Sequence, residues 1–556
     1  MLAPLLSALL LSSPVPSPGE TVTVTVLATT DTHGFLYPWD YFTRQPAPRG
    51  LAAAATLVAE VRRETPDTLL VDCGDAIQGS PLESVHQAAV GDGRDASPDP
   101  VMLAMNRMGY DAMVVGNHEF NFGLRNLSAA REVARFPWLS ANTRTGGTLP
   151  PFAPYIVKTV RGVKVAVIGV TTSAVPDWEE PDHIRGLEWL PPEEGVRRAL
   201  EGLEKEKPDV VIAAVHGGLD RDPATGDRRP RERPGENSAW EIAERFPHLA
   251  AVIYGHTHRR EEGLRVGSVL LVQPRPWAQE VARVDLTLAR EGGGPWSLRS
   301  VASRLLPVLP TTPPDPAILE IARPYHEAAE RYLDQPVAES RADLSGARGR
   351  FEDTALVDAI HEVQLHYAQA DVSFASLVNP RVRVARGPLT VRQLAALYVY
   401  DNELYAIEGD GRMVREALEN AARYYRTCPD PSCSHGPLVD HTVAGYNFDT
   451  AEGVDYEIDL SRPEGHRVKD LRYHGAPLRD DQRLRIAVNN YRAAGSGGYG
   501  MFRGAKVVWR SGREIRDLMV EYFGAGHVLP ARPDGNWRLV PPAVVDTLVR
   551  EEAAAP

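Results

Sequence analysis

Three cysteines in 556 residues are too few for a disulfide-stapled scaffold or for a zinc site built from thiolates alone. Basic charge is also in deficit: 61 Lys and Arg against 74 Asp and Glu leave a formal charge of −13. That balance argues against a nucleic-acid polymer or an acidic membrane as the main partner. A small anionic substrate stays open, because metal ions supply positive charge locally. No apolar run reaches the ~20 residues that a membrane-spanning helix needs. Internal repeats are absent, and no feature sets an oligomeric state.

What is present is the composition of a globular protein, 43% hydrophobic and 24% charged, at a length that suits two domains. Met1 to Ser13 is apolar with small residues and leads into the Pro-rich Pro14–Gly19. It resembles the apolar core of a secretory signal, although no Lys or Arg precedes Arg44 to form the usual basic start. Residues 1–19 are therefore expected to be a leader, and the protein to be periplasmic or secreted. In an exported chain the spacing of Cys428 and Cys433 suits a local disulfide; in the cytosol they would be free thiols. Cys73 reads as a small core residue.

The first half is organised by apolar runs that end in polar, metal-capable side chains. Thr21–Ala28 alternates as a strand should and leads into Asp31 and His33. Thr68–Val71 leads to Asp72 and Asp75, and Ala112–Val115 to Gly116-Asn117-His118-Glu119. Val210–Val215 delivers His216, and Ala251–Tyr254 delivers His256 and His258. Val163–Val170 ends in Thr171-Thr172 without a ligand, and Ser268–Val272 and Val281–Leu288 complete the set. Helical stretches at Gly50–Arg63 and near Met102–Met108 separate strands, so the region reads as a layered α/β domain. Ligands in such folds sit beyond the strand carboxyl ends. Pro307–Pro316 reads as a linker and Ala317–Tyr332 as a helix joining the halves.

One strand-end Asp is as well explained by a helix cap, and one His by ordinary packing. Five such ends in series are not. Two divalent ions about 3.5–4 Å apart need a bridging carboxylate and mixed nitrogen and oxygen ligands. Asp75 is the natural bridge, and imidazole with carboxylate favours Zn, Mn, Fe or Co over Ca or Mg. Such a pair lowers the pKa of a shared water and binds phosphoryl oxygens.

This order of motifs resembles the calcineurin-like metallophosphoesterases, and the chain after the leader resembles their two-domain 5′-nucleotidase family. The resemblance implies an N-terminal αββα catalytic domain, 20–306, and a linker with connecting helix, 307–335. A C-terminal α+β nucleotide-binding domain, 336–540, and a tail, 541–556, would follow. It implies that Asp31, His33, Asp75 and His258 hold one ion and that Asp75, Asn117, His216 and His256 hold the other. His118 would be no ligand; it would stabilise the transition state or protonate the leaving oxygen. Many members carry Asp three residues after this His, but here the position is Asn121, which accepts a hydrogen bond and brings no charge. Gly-Asn-His-Glu-Phe-Asn instead resembles the bacterial 2′,3′-cyclic-nucleotide 2′-phosphodiesterase/3′-nucleotidase branch. Asp72 then reads as a structural group.

The second half predicts helices at Asp353–Ala368, Arg392–Tyr398 and Gly411–Tyr425, with strands near Val372–Phe374, Val454–Leu460 and Arg485–Val488. Tyr400 and Tyr491 lie in segments that resemble loops holding a base between two aromatic rings, which would grip any base through its π face. The plainer reading is that both rings fill a core. Arg350 and Arg381 occupy places where related 5′-nucleotidases contact the nucleotide, against the plainer reading of surface arginines. Asn447 and Asp449 belong to a segment with strand alternation and a structural character. His361, His366, His435 and His441 are expected at the surface. The expected substrate is a small nucleotide, with a 5′-nucleotidase or nucleotide-sugar hydrolase and a non-catalytic nucleotide-binding protein as alternatives.

Overall fold

In the strand Glu20–Thr29 the alternation of Val and Thr turns Val22, Val24, Val26 and Ala28 to one buried face. It lies third in a six-stranded sheet, after Ser297–Pro307 and Glu280–Arg290 and before Leu69–Asp72, Ala112–Val114 and Trp138–Leu139. The last four strands of that order are parallel, and Glu280–Arg290 is antiparallel to both its neighbours. A second six-stranded sheet runs Glu261–Val266, Val269–Gln273, Ala251–Tyr254, Val210–His216, Val163–Thr171, Tyr155–Val160, with its four inner strands parallel. Uninterrupted apolar runs are what parallel strands covered on both faces require. Val26, Val71 and Val284 of the first sheet share one core with Val167, Ile212 and Ile253 of the second, so the sheets pack face to face. Helices Leu51–Glu64 and Pro100–Met108 flank the first sheet. Pro192–Leu203 and Ala239–Arg245 cover the outside of the second through Val196, Ala199 and Ile242. This is the expected αββα layering.

This computed structural model describes residues 19–228, 235–400, 402–428, 430, 433 and 437–554; the leader up to residue 18 and His435 lie outside them. The chain divides into two compact units, Met1–Asp40 with Gln45–Ala328, and Tyr41–Arg44 with Ala329–Pro556. The strand Ser297–Pro307 runs up to the proline-rich stretch, and the helix Pro316–Leu333 begins at its end. The change of unit therefore falls inside that helix and not at the prolines.

The second unit is built on a mixed five-stranded sheet, Asp449–Glu452, Val372–Ser376, Arg483–Asn489, Glu403–Asp410, Val507–Glu514. Helices Ala355–Ala368 and Ile515–Gly524 pack on one face and Gly411–Ala422 on the other, the expected α+β class. Three expectations need correction. Residues 543–554 are not a tail but a helix, because Val544 and Leu548, one turn apart, bury themselves in the core beside Trp537. The helix expected over Arg392–Tyr398 is the shorter Val391–Ala395. His361 is buried between the Ser373 and Thr450 hydroxyls, 3.0 Å from each, and burial brings its pKa down to about 3, so it packs as a neutral ring. His366 and His441 are exposed. Cys428 and Cys433 are joined, with Cα atoms 5.2 Å apart, and Cys73 is a buried free thiol. Among the described residues no helix is long and apolar enough to cross a membrane.

Candidate metal centre

The strand ends leave their sheets through residues that abandon the β conformation. Asp31, His33, Asp75, His256 and His258 all take positive φ, between 46° and 72°, a region that costs a non-glycine residue about 1 kcal/mol or more. Such strain persists only where surrounding structure over-determines it, commonly at functional sites. Glycine is required beside two of these residues. A Cβ on Gly116 would overlap the Asp75 carboxylate, and one on Gly255 would overlap Thr30 and Asp31.

Two donor sets result, both within the first unit. Asp31, His33 and His258 bring ligand atoms within 4.8 Å of one another, and so do Asp75, His216 and His256. Asn117 joins the second set: its Oδ1 lies 3.0 Å from His216 Nε2, which is also 3.0 Å from Asp75 Oδ2. His33 Nε2 and His258 Nε2 stand 2.9 Å apart. The opposite ring nitrogens are already committed. His33 Nδ1 donates to the Gln78 carbonyl at 2.9 Å and His216 Nδ1 to the Cys73 carbonyl at 2.8 Å, which turns each Nε2 toward the centre. The carboxylates are oriented too: Asp31 accepts the His256 N–H at 3.0 Å, and Asp75 accepts the His118 N–H at 2.8 Å. All seven residues expected as ligands are gathered in these two sets or bonded to them.

The electrostatics fit a cation site. Burial opposes charge on Asp31, yet the hydrogen bond and charge of His258, with His216 behind it, carry its pKa down to about 2. Burial likewise opposes charging His216, but Asp75, and then Asp31, outweigh it and lift the ring to about 10. His33 goes the other way, down to about 4, through burial and the neighbouring His258. Anionic carboxylates thus face imidazoles, with positive charge held in their midst as a proton. A divalent cation would replace that proton and take the same nitrogen and oxygen donors.

His118 belongs to neither set. Its Nδ1 lies 2.5 Å from Asn121 Oδ1, its ring stands edge-on to His33 at 5.2 Å, and its Nε2 is 4.0 Å from Asp75 Oδ2. Asp72 is structural, as expected: it accepts Thr29 Oγ1 at 2.6 Å and the Gly74 N–H at 2.8 Å, and burial pushes its pKa well up. Two carboxylates were not assigned from the sequence. Glu119 is buried and accepts the backbone N–H of Gly116 and Ala76 at 2.6 Å and of Asp75 at 2.9 Å, which pins the Asp75 loop to the His118 loop. Its place in Gly-Asn-His-Glu was the available signal. Glu179 accepts Asn121 Nδ2 at 2.8 Å, and nothing in its Glu-Glu-Pro surroundings distinguishes it from a surface acid.

In the second unit Tyr400 and Tyr491 are exposed, 41% and 43%, so neither ring fills a core. Tyr446, next to Asn447 at the start of the segment read as structural, is 40% exposed and meets Tyr400 edge-on with ring centroids 6.0 Å apart. Arg492 fixes this group from below. It grips Asp449 through two bonds of 2.7 and 2.9 Å, both side chains buried, and donates to the Tyr446 carbonyl at 2.7 Å. That ties the 446–449 turn to the turn carrying Tyr491, as a bidentate pair does well. Arg350 packs on Gly445 and donates to the Val378 carbonyl at 3.3 Å. Among the described residues it has no carboxylate partner. Arg381 is exposed, with its backbone N–H on Asn379 Oδ1 at 3.0 Å and no side-chain partner among the described residues.

Paired carboxylate–imidazole sets at the ends of two facing sheets define a two-metal phosphoesterase fold. A family model described as calcineurin-like phosphoesterase matches residues 24–260, and one described as the 5′-nucleotidase C-terminal domain matches residues 334–504. The 2′,3′-cyclic-nucleotide 2′-phosphodiesterase/3′-nucleotidase of Haemophilus influenzae is 30% identical over 94% of this chain and 88% of its own. The protein of the same name from Salmonella typhimurium is 28% identical over 94% and 89%. The solved structure of a putative 5′-nucleotidase from Staphylococcus aureus is similar with a TM-score of 0.74 and 26% identity, over 93% of this chain and 100% of that one. The chain belongs to the two-domain 5′-nucleotidase family of calcineurin-like phosphoesterases, a family of metal-dependent hydrolases.

Proposed function

We propose that this protein opens 2′,3′-cyclic nucleotides to 3′-nucleotides and then removes the 3′-phosphate, with two divalent ions drawn from Zn, Mn, Fe and Co. The observation that carries the reading is the convergence of Asp31, His33 and His258 with Asp75, His216 and His256 in two sets beside His118. Asp31, His33, Asp75 and His258 would hold one ion, and Asp75, Asn117, His216 and His256 the other. The ions, when bound, supply Lewis acidity toward phosphoryl oxygens and a source of hydroxide at neutral pH. His118 Nε2 faces the same space; it hydrogen-bonds the phosphoryl oxygen or hands a proton to the departing ribose oxygen. Asn121 holds the far side of that ring. Tyr400 and Tyr491 take the base, Arg350 lies close by as a free cation for the nucleotide, and Arg381 is the weaker candidate. The joined Cys428 and Cys433 support an exported, periplasmic or secreted location.

Rates on 2′,3′-cyclic AMP, 3′-AMP and 5′-AMP, each with a metal-stripped control, test the reading. The first two substrates should be preferred and all activity should vanish on stripping. A preference for 5′-AMP would favour the 5′-nucleotidase alternative suggested by the Staphylococcus aureus relative. Metal content without hydrolysis of any ester would leave only a binding protein. A second expected result concerns the base. Tyr491→Ala should raise KM for 3′-AMP by roughly 5- to 150-fold, since one stacking contact is worth about 1–3 kcal/mol. Ribose 3-phosphate, which has no base, should be turned over as before; equal losses on both would make Tyr491 a packing residue.

A further inference from the structure

His118 is tied to a carboxylate at one remove. Its Nδ1 lies 2.5 Å from Asn121 Oδ1, and Asn121 Nδ2 donates to Glu179 Oε2 at 2.8 Å. Glu179 is buried, only 3% exposed, on the turn that follows the short helix Val175–Trp178. Its other oxygen accepts the Glu180 backbone N–H and the His183 Nδ1–H, each at 2.9 Å. The carboxylate is therefore fixed on both sides, and it stands outside both donor sets.

An amide has one accepting end and one donating end, whereas a carboxylate only accepts. Glu179 thus admits a single orientation of Asn121, with the NH2 toward itself and the carbonyl toward His118. That carbonyl in turn requires the proton on His118 Nδ1, and Nε2 becomes the atom turned to the substrate. An aspartate at position 121 would impose this directly. An asparagine imposes it only when something holds its amide the right way round.

We propose that Glu179 is a positioning residue for His118, an inference that rests on the role proposed for His118 above. It touches no substrate; it fixes the angle of the imidazole, with a carbonyl acceptor held on its Nδ1–H, by locking the Asn121 amide.

Glu179→Gln is close to isosteric and tests this. Two N–H groups already point at Oε1, so the glutamine carbonyl should settle there and present its NH2 to Asn121. Asn121 would then turn over and set its own NH2 against His118 Nδ1. With 3′-AMP as substrate, kcat is expected to fall roughly 10- to 100-fold, the usual cost of losing the partner that orients a functional imidazole. KM and bound metal should stay near wild type. Adding Asn121→Asp to Glu179→Gln restores an acceptor that has no amide to orient, and should recover most of the lost kcat. Asn121→Asp alone sets two carboxylates against each other and should be worse than the pair. An unchanged kcat in Glu179→Gln, or a double variant that stays as slow as the single, would overturn the positioning role. His118→Ala run alongside separates the two ideas. If it loses turnover while Glu179→Gln does not, only the positioning role falls. Should His118→Ala itself turn over normally, the role of His118 falls first.

Discussion

Asp75→Asn is expected to lower kcat by about 10³-fold or more and to strip the protein of at least one bound ion. The magnitude follows from a loss of about 4 kcal/mol, the scale of charge stabilisation by a bound metal, at 1.36 kcal/mol per decade. Asp75 is the one side chain assigned to both ions. The residue is 1% exposed, and its carboxylate lies 3.0 Å from His216 Nε2 and takes the His118 N–H at 2.8 Å. The substitution removes a negative charge and one strong oxygen donor with almost no change of shape. Position 75 sits at φ 61°, where Asn is tolerated as readily as Asp, and the amide carbonyl can still accept the His118 N–H. A folding defect is therefore not the expected cause. Metal analysis of the purified variant, set beside its melting temperature and kcat, checks the claim. Full metal content with wild-type turnover would mean that Asp75 bridges nothing.

The donor sets were legible because each lies at a strand end, where an apolar run stops and a polar residue follows. Strand period and strand termination are local properties, so Asp31, Asp75, His216 and His256 could each be picked out as a strand-end residue, and their joint occurrence in order made a metal site the better reading. The αββα layering was legible for the same reason: runs such as Val210–His216 are apolar on both faces and must be covered on both. Features that depend on contacts between distant segments were not. His361 carries no local mark that separates a surface imidazole from one enclosed by Ser373 and Thr450. Residues 543–554 looked like a tail because the partner of Val544 and Leu548 is a core assembled from residues far upstream. Glu179 meets Asn121 across 58 residues of chain, and a Glu in a polar turn gives no sign of burial. The change of unit lies inside Pro316–Leu333, the helix expected to join the halves; the prolines before it mark where a strand ends and a helix starts.

His118→Ala should cut turnover by about 10²- to 10⁴-fold, the range for a positioned acid–base group, while both ions stay bound. The contrast with Asp75→Asn is the point of the experiment. His118 supplies no atom to either donor set; its Nδ1 is occupied by Asn121 and its Nε2 lies 4.0 Å from Asp75 Oδ2. What it gives the metal site is its backbone N–H, bonded to Asp75 Oδ1, and alanine keeps that. The ring is partly exposed, 27%, so removing it leaves a space that water enters and costs little stability. Loss of rate with full metal content would place His118 on the reaction and not on the scaffold. The leaving group sharpens this. If Nε2 hands a proton to the departing oxygen, the deficit should be large for 3′-AMP, whose ribose oxygen leaves poorly, and small for p-nitrophenyl phosphate, whose phenolate leaves without help. A deficit of equal size on both substrates would instead identify His118 as a hydrogen-bond donor to the phosphoryl oxygens. Unchanged turnover on both would remove it from the mechanism altogether.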